Sequence, residues 1–192
     1  MDILDLHKRT NIKPAAGKLL IAEPFLTDPG FSRTVILLCE HGEEGSIGFV
    51  LNKPSANSIS DLLPELDNPA LTIFEGGPVQ HDTLHMIHRI PDVMGGLEIA
   101  PGLYWGGSYS DLSRVVEDGT ASAGDMRLFI GYSGWDEGQL ERELKEGSWL
   151  VAECRKALIF ETDADKVWQD AVRSLGSGYA YLANMPLHPQ LN

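Results

Sequence analysis

His81, His85 and His88 stand at H-x3-H-x2-H spacing. On a helix the three imidazoles would share one face and could bind a metal ion. The preceding Gly76-Gly77-Pro78 and the alternation of Leu84 to Ile90 (LHMIHRI) point to a strand instead. On a strand His85 and His88 face opposite ways. No cysteine pair or carboxylate cluster nearby completes a ligand set, so neither a metal nor a cofactor is expected. Cys39 and His41 flank Glu40. If the strand runs on to His41, both side chains lie on one face, about 6.5–7 Å apart at Cα. A Cys–His pair makes a thiolate nucleophile or a redox thiol, whereas a cysteine ending an apolar strand is ordinarily buried and inert. Cys39 is thus the candidate redox thiol. Cys154 sits at a predicted strand edge beside Arg155 and Lys156, whose charges would lower its pKa.

Other chemistry has less to build on. Gly131-Tyr132-Ser133-Gly134 lacks the G-x-S-x-G spacing of a nucleophile elbow, and Trp135 to Gly138 separates it from the next helix. The pairs Gly76-Gly77, Gly95-Gly96 and Gly106-Gly107 form no dinucleotide or P-loop fingerprint and read as tight turns. No catalytic residue is assigned. One pattern stands above background: polar and small residues gather at predicted strand ends. Asp28, Arg33, Thr34, His41, Asn52, Gly76, Gly77, Tyr132, Trp135 and Gln139 are the candidate ligand-binding residues, with Lys53 beside Asn52. If those ends converge, they line a groove containing an arginine, a histidine and two aromatic rings.

The elements that must position them follow from periodicity and turn chemistry. Lys18 to Ala22, Thr34 to Cys39 and Ser46 to Leu51 read as strands, the last two joined by the polar loop Glu40 to Gly45. A short helix capped by Ser58 or Ser60 is expected through Leu66, limited by Pro64. Further strands are expected at Leu71 to Phe74, Leu84 to Ile90, Leu97 to Trp105 and Met126 to Tyr132. Helices are expected from Ser110 to Glu117 and Gly138 to Glu146. Trp149 to Ala152 and Ala157 to Phe160 read as two short strands. A helix opening at Thr162 runs to about Leu175, with Val167, Trp168, Ala171, Val172 and Leu175 as its apolar stripe. The tail from Tyr179 reads as irregular. Strands dominate early and helices are interleaved late, so the class is α+β rather than a doubly wound parallel sheet. The expected organisation is an N-terminal arm at 1–14 and a single domain at 15–192.

Composition narrows the function. The 192 residues carry 28 acidic and 15 basic side chains, a net charge of −13. That field repels phosphate backbones, and the densest basic group, Lys8, Arg9 and Lys13, is flanked by Asp2 and Asp5. Direct nucleic-acid binding is disfavoured, and no helix-turn-helix pattern appears. Two cysteines exclude a disulfide-dense secreted scaffold. No apolar run approaches the roughly 18–20 residues that span a bilayer, and 1–13 lacks the apolar stretch of a signal peptide. A cytoplasmic location without membrane partners is expected.

Several stretches resemble the YqgE/AlgH family of bacterial proteins. They are Gly17 to Pro24 (GKLLIAEP), Asp28 to His41 (DPGFSRTVILLCEH), Gly45 to Pro54 (GSIGFVLNKP), Glu75 to Val79 (EGGPV), Phe129 to Glu143 (FIGYSGWDEGQLERE), Trp149 in SWLVAE, and Leu158 to Trp168 (LIFETDADKVW). The resemblance implies one α+β domain whose mostly antiparallel, bifurcated sheet includes a small closed barrel and is surrounded by helices. It implies no reaction, so no catalytic residues carry over. One family type, AlgH, is described as a regulator of alginate biosynthesis, sometimes as a transcriptional regulator. The expectation is a non-enzymatic regulatory or binding protein acting through a protein or small-molecule partner. The alternative is an enzyme or sensor using Arg33, His41 and Asn52.

Overall fold

The β-branched run at Val35 becomes an interior strand. A computed structural model describes residues 10–66, 68, 71–120 and 122–186. In it β1 (Lys18–Ala22), β2 (Val35–Gly42) and β3 (Gly45–Val50) form an antiparallel meander. The remaining strands are β4 (Ile73–Glu75), β5 (Val79–His88), β6 (Leu97–Ala100), β7 (Leu103–Trp105), β8 (Met126–Trp135) and β9 (Trp149–Glu153). The lateral order is β6-β7-β5-β8-β3-β2-β1-β9, with β4 parallel beside β8 and every other pairing antiparallel.

β8 is where the sheet forks. One of its edges pairs with β5 from Met126 to Tyr132. Its other edge pairs with β4 at Leu128–Ile130 and with β3 at Ser133–Trp135. Gly76 and Gly77 sit in the crotch. The Gly76 amide donates to Ile130 O at 2.8 Å, and its carbonyl accepts from Val50 N at 2.9 Å and from the buried Ser133 hydroxyl at 3.1 Å. A Cβ at Gly76 would lie 2.4 Å from Gly131 O. These glycines permit backbone to approach backbone.

Six helices occur among the described residues: α1 (Ile59–Leu62), α2 (Pro91–Met94), α3 (Tyr109–Glu117), α4 (Gln139–Glu146), α5 (Lys156–Phe160) and α6 (Ala164–Ser174). They cover three apolar clusters. Val167, Trp168, Ala171 and Val172 of α6 pack with Val35, Leu37, Phe49 and Leu150 on one side of the β1–β3 region. Leu140 and Leu144 of α4 cover Leu20, Ile36, Leu38 and Val151 on the opposite side. Ile59 of α1, Met94 of α2 and Leu112, Val115 and Val116 of α3 pack on Ile73, Met86, Leu128 and Ile130.

The structure is α+β with a forked sheet and surrounding helices, but the sheet does not close into a barrel: β6 and β9 end it and form no ladder with each other. Ala157 to Phe160 belongs to the helix α5, because a four-residue apolar run carries no period long enough to distinguish strand from helix. α1 stops at Leu62, two residues before Pro64. Ser108, not Ser110, caps α3 by accepting from Asp111 N at 3.1 Å. The tail forms a 3-10 turn at Ala180–Asn184. Residues 1–9 of the expected arm and 187–192 lie outside the described residues.

Candidate functional site

β2 carries an irregularity that decides its chemistry. Leu38 pairs with Gly48 and Glu40 with Ile47, so Cys39 is the extra residue of a bulge. Cys39 joins Val35 and Leu37 in the cluster under α6. His41 lies on the α4 side, with Nδ1 2.8 Å from Ser46 Oγ and Nε2 3.7 Å from Glu141 Oε1. The bulge therefore breaks the alternation that would have put the thiol and imidazole on one face. Cys39 is 2% exposed, and burial pushes its thiol well above the ordinary range, with Cys154 adding to the effect. The Cys154 thiol is pushed up to about 11 by burial, which outweighs Lys156 and reverses the expectation of a lowered value.

This predicts a pH dependence. The Cys154 proton leaves an unfolded chain near 9.0 and the folded one near about 11. Its contribution to stability is therefore full below pH 9 and is lost between about 9 and about 11. Thiol labelling in native buffer is expected to be slow at pH 8 and to rise about tenfold per pH unit up to that range. Labelling at the rate of a free cysteine at pH 8 would contradict the burial.

The three histidines have separate surroundings. The His81 Nδ1 lies 3.7 Å from Glu75 Oε2. The Thr83 hydroxyl donates to Gln80 O at 2.7 Å and so accepts from His85 Nε2 at 3.0 Å; burial holds His85 below its ordinary value. His88 is fully buried, donates from Nε2 to Gly106 O at 3.0 Å and accepts the Ile90 amide at Nδ1. Burial lowers its pKa too, against the opposing hydrogen bond. His85 packs 4.9 Å from Phe49 and His88 stacks 5.9 Å from Tyr104. Among the described residues no group of three or more His, Cys, Asp or Glu could hold a metal.

The polar strand ends fall into three neighbourhoods. In the first, Asn52 imitates a strand: Oδ1 accepts from Val35 N at 3.0 Å and Nδ2 donates to Arg33 O at 2.9 Å. That clamp holds Arg33 at φ +51°. The Arg33 guanidinium donates to Met185 O and lies 4.6 Å over the Trp168 ring. The Thr34 hydroxyl donates to Phe31 O at 2.8 Å, and Asp28 Oδ1 accepts from Gly30 N at 2.7 Å. Lys53 Nζ donates to Gly30 O. These groups consolidate the Asp28–Thr34 loop and tie it to the C-terminal turn.

In the second, the Glu143 carboxylate is a hub. Oε2 accepts from Trp135 Nε1 at 2.9 Å and Trp149 Nε1 at 2.8 Å, and Oε1 accepts from Gln139 Nε2 at 2.9 Å. The third is the crotch of the fork, where Gly76 and Gly77 meet Tyr132. Arg33 precedes β2 and His41 is near its end, so roughly 25 Å of strand separates them. They cannot reach one small molecule together. Tyr132 and Trp135 share a shallow depression with Ser46, Glu40 and Asp136.

A better-formed cleft lies elsewhere, beside the outer edge of β9, with a volume of about 350 Å³. Its apolar walls are Ile12 and Pro14, Leu144 at the end of α4, Trp149 and Val151 of β9, and Leu182 of the 3-10 turn. The Val151 amide, pointing away from β1, donates to Thr10 Oγ1 at 3.1 Å. Sequence reasoning assigned none of these residues to a site, because the walls come from segments far apart in the chain. Ile12 and Leu144 were the available signals, apolar residues on otherwise polar segments.

The profile of the AlgH-like family matches residues 19–180. The chain belongs to that family. A UPF0301 protein of Chlorobaculum tepidum is 45% identical over 182 residues, covering 94% of this chain and 96% of its own. Another, from Chlorobium luteolum, is 40% identical over the full length of both. Among solved structures, the AlgH protein of Pseudomonas aeruginosa aligns with a TM-score of 0.72 and 30% identity, covering 94% of this chain and 99% of that one. DIP2367 of Corynebacterium diphtheriae shares the fold, with a TM-score of 0.75 and 24% identity over 93% of this chain and 95% of that one. The AlgH-like match includes the loop, the fork and three of the β9 cleft's six apolar wall residues, with Ile12, Pro14 and Leu182 outside it.

Proposed function

We propose that this protein is a cytoplasmic, non-enzymatic regulatory or binding protein that takes an extended, apolar peptide segment of a partner protein along the β9 edge. One observation carries the reading: the cleft of about 350 Å³ lies beside the terminal strand of the sheet. An edge strand offers unpaired amides and carbonyls to an added strand, while apolar walls select its side chains. Here Thr10 caps the Val151 amide by a side-chain bond, a contact an incoming backbone carbonyl can replace. The acidic net charge of −13 supports a protein partner over nucleic acid. The two cysteines are unpaired thiols, consistent with a reducing compartment. Apart from Arg33 Nε, which has no partner, the polar groups around Arg33 and Asn52 hold their own loop, which favours this reading over an enzyme or sensor there.

A photo-cross-linking residue placed at Leu144 tests it, with the same residue at Glu117 on α3 as control. The expected result is a specific adduct from Leu144 alone, mapping to an extended segment of one partner and lost when Val151→Pro blocks the edge. Three results would overturn the reading: adducts of equal yield at both positions, no protein adduct, or a co-purifying small molecule that Leu144→Glu releases.

A further inference from the structure

Arg127 is placed on β8 opposite Ile87 of β5, near the fork. Its Nη1 donates to Leu51 O at 2.9 Å, and its guanidinium carbon lies 4.2 Å over the Phe74 ring. Among the described residues no carboxylate stands within ion-pair distance of it. Arg89 is the contrast, with Asp125 at 3.7 Å and Glu161 at 3.9 Å. Arg127 is partly buried, and that burial, with no counter-charge beside it, brings its pKa down to about 10. A guanidinium carries five N–H donors in a planar fork, and the Leu51 carbonyl takes one. Beside it opens a pocket of about 80 Å³ walled by Leu71, Phe74, Met126 and Phe160, with Thr72 and Ala123 also lining it.

We propose that this pocket binds a short-chain monocarboxylate, of acetate or propionate size, with its carboxylate on the Arg127 guanidinium and its alkyl group on the apolar walls. The carboxylate follows from the single cation: one negative charge neutralises it, in the planar geometry a guanidinium favours. A dianionic phosphate would keep an uncompensated charge against apolar walls, and the net charge of −13 repels it more strongly. The alkyl group follows from the walls, and the volume limits its length. This site is independent of the β9 cleft.

Sodium propionate titrated into ¹⁵N-labelled protein, at ionic strength held constant with sodium chloride, reads the site through the Arg127 side-chain N–H resonance. A saturable shift is expected with a Kd on the order of 1–10 mM, in keeping with so few ligand atoms. Arg127→Lys keeps the charge, loses the fork and should weaken binding about tenfold. Ala123→Phe fills the pocket from an exposed position, leaves Arg127 in place and should abolish the shift. Arg173→Gln, on α6 and paired with Asp170, should leave the Kd within about twofold. The proposal is overturned by no saturation up to about 100 mM propionate, binding that survives Ala123→Phe, or inorganic phosphate binding more tightly than propionate.

Discussion

Gly77→Ala is expected to cost much of the folding stability and to lower the urea midpoint sharply. A Cβ at this position would stand 2.2 Å from the Tyr132 carbonyl carbon and 2.3 Å from Ser133 N. Both atoms are backbone of β8, which is paired to β5 on one side and to β3 or β4 on the other, so it cannot step aside. Gly77 also holds φ at +156°, a conformation that side chains rarely adopt. Overpacking against immovable backbone costs on the order of 4 kcal/mol or more, much of a typical domain's 5–15 kcal/mol. Gly42→Ala, whose Cβ would meet nothing within 4 Å, is the control and should stay within about 0.5 kcal/mol of the parent. Far-UV circular dichroism across a urea series checks both. A Gly77→Ala protein unfolding at the parent's midpoint would mean the crotch of the fork is looser than described.

Glu143→Ala is expected to destabilise by about 2–4 kcal/mol, because it leaves two indole donors and one amide donor without their acceptor. Trp135 and Trp149 are only 6% and 5% exposed, so water cannot readily replace the carboxylate. Glu143→Gln should cost nearly as much: one of its two polar ends becomes a donor, facing donors. Chemical unfolding followed by tryptophan fluorescence measures the loss, and the native emission should shift as the indoles change partners. A change under about 0.5 kcal/mol would show that the indoles find other acceptors.

Much of the fold could be read from residue order. The β2–β3 hairpin was legible because a β-branched run, a polar loop and a second apolar run follow one another from Val35 to Val50. The α6 stripe was legible because its period is helical over 11 residues. The Cys39 bulge was not, since nothing in VILLCEH marks where one extra residue enters the ladder. The glycines at 76 and 77 read as turn formers, whereas their role depends on how closely β4's continuation passes β8 and β3. The candidate residues were chosen as polar strand ends, and most prove to hold loops and caps within reach of their own neighbours. The β9 cleft was illegible for the opposite reason: Thr10 and Val151 are 141 positions apart, and no local pattern reports such a meeting.

The pairing of β1 with β9 sets a timetable for synthesis. Lys18 and Glu153 bond across a separation of 135 residues, and the β1–β9 ladder continues to Ala22 and Trp149. At the roughly 5–20 residues per second of translation, β1 leaves the ribosome roughly 7 to 27 s before its outer neighbour follows. Through that interval β1 can close on β2, but its other edge stays open to any extended chain nearby. A nascent chain stalled just short of residue 149 would present that edge indefinitely, and ribosome-bound chains of that length are where trigger-type chaperones should be found engaged.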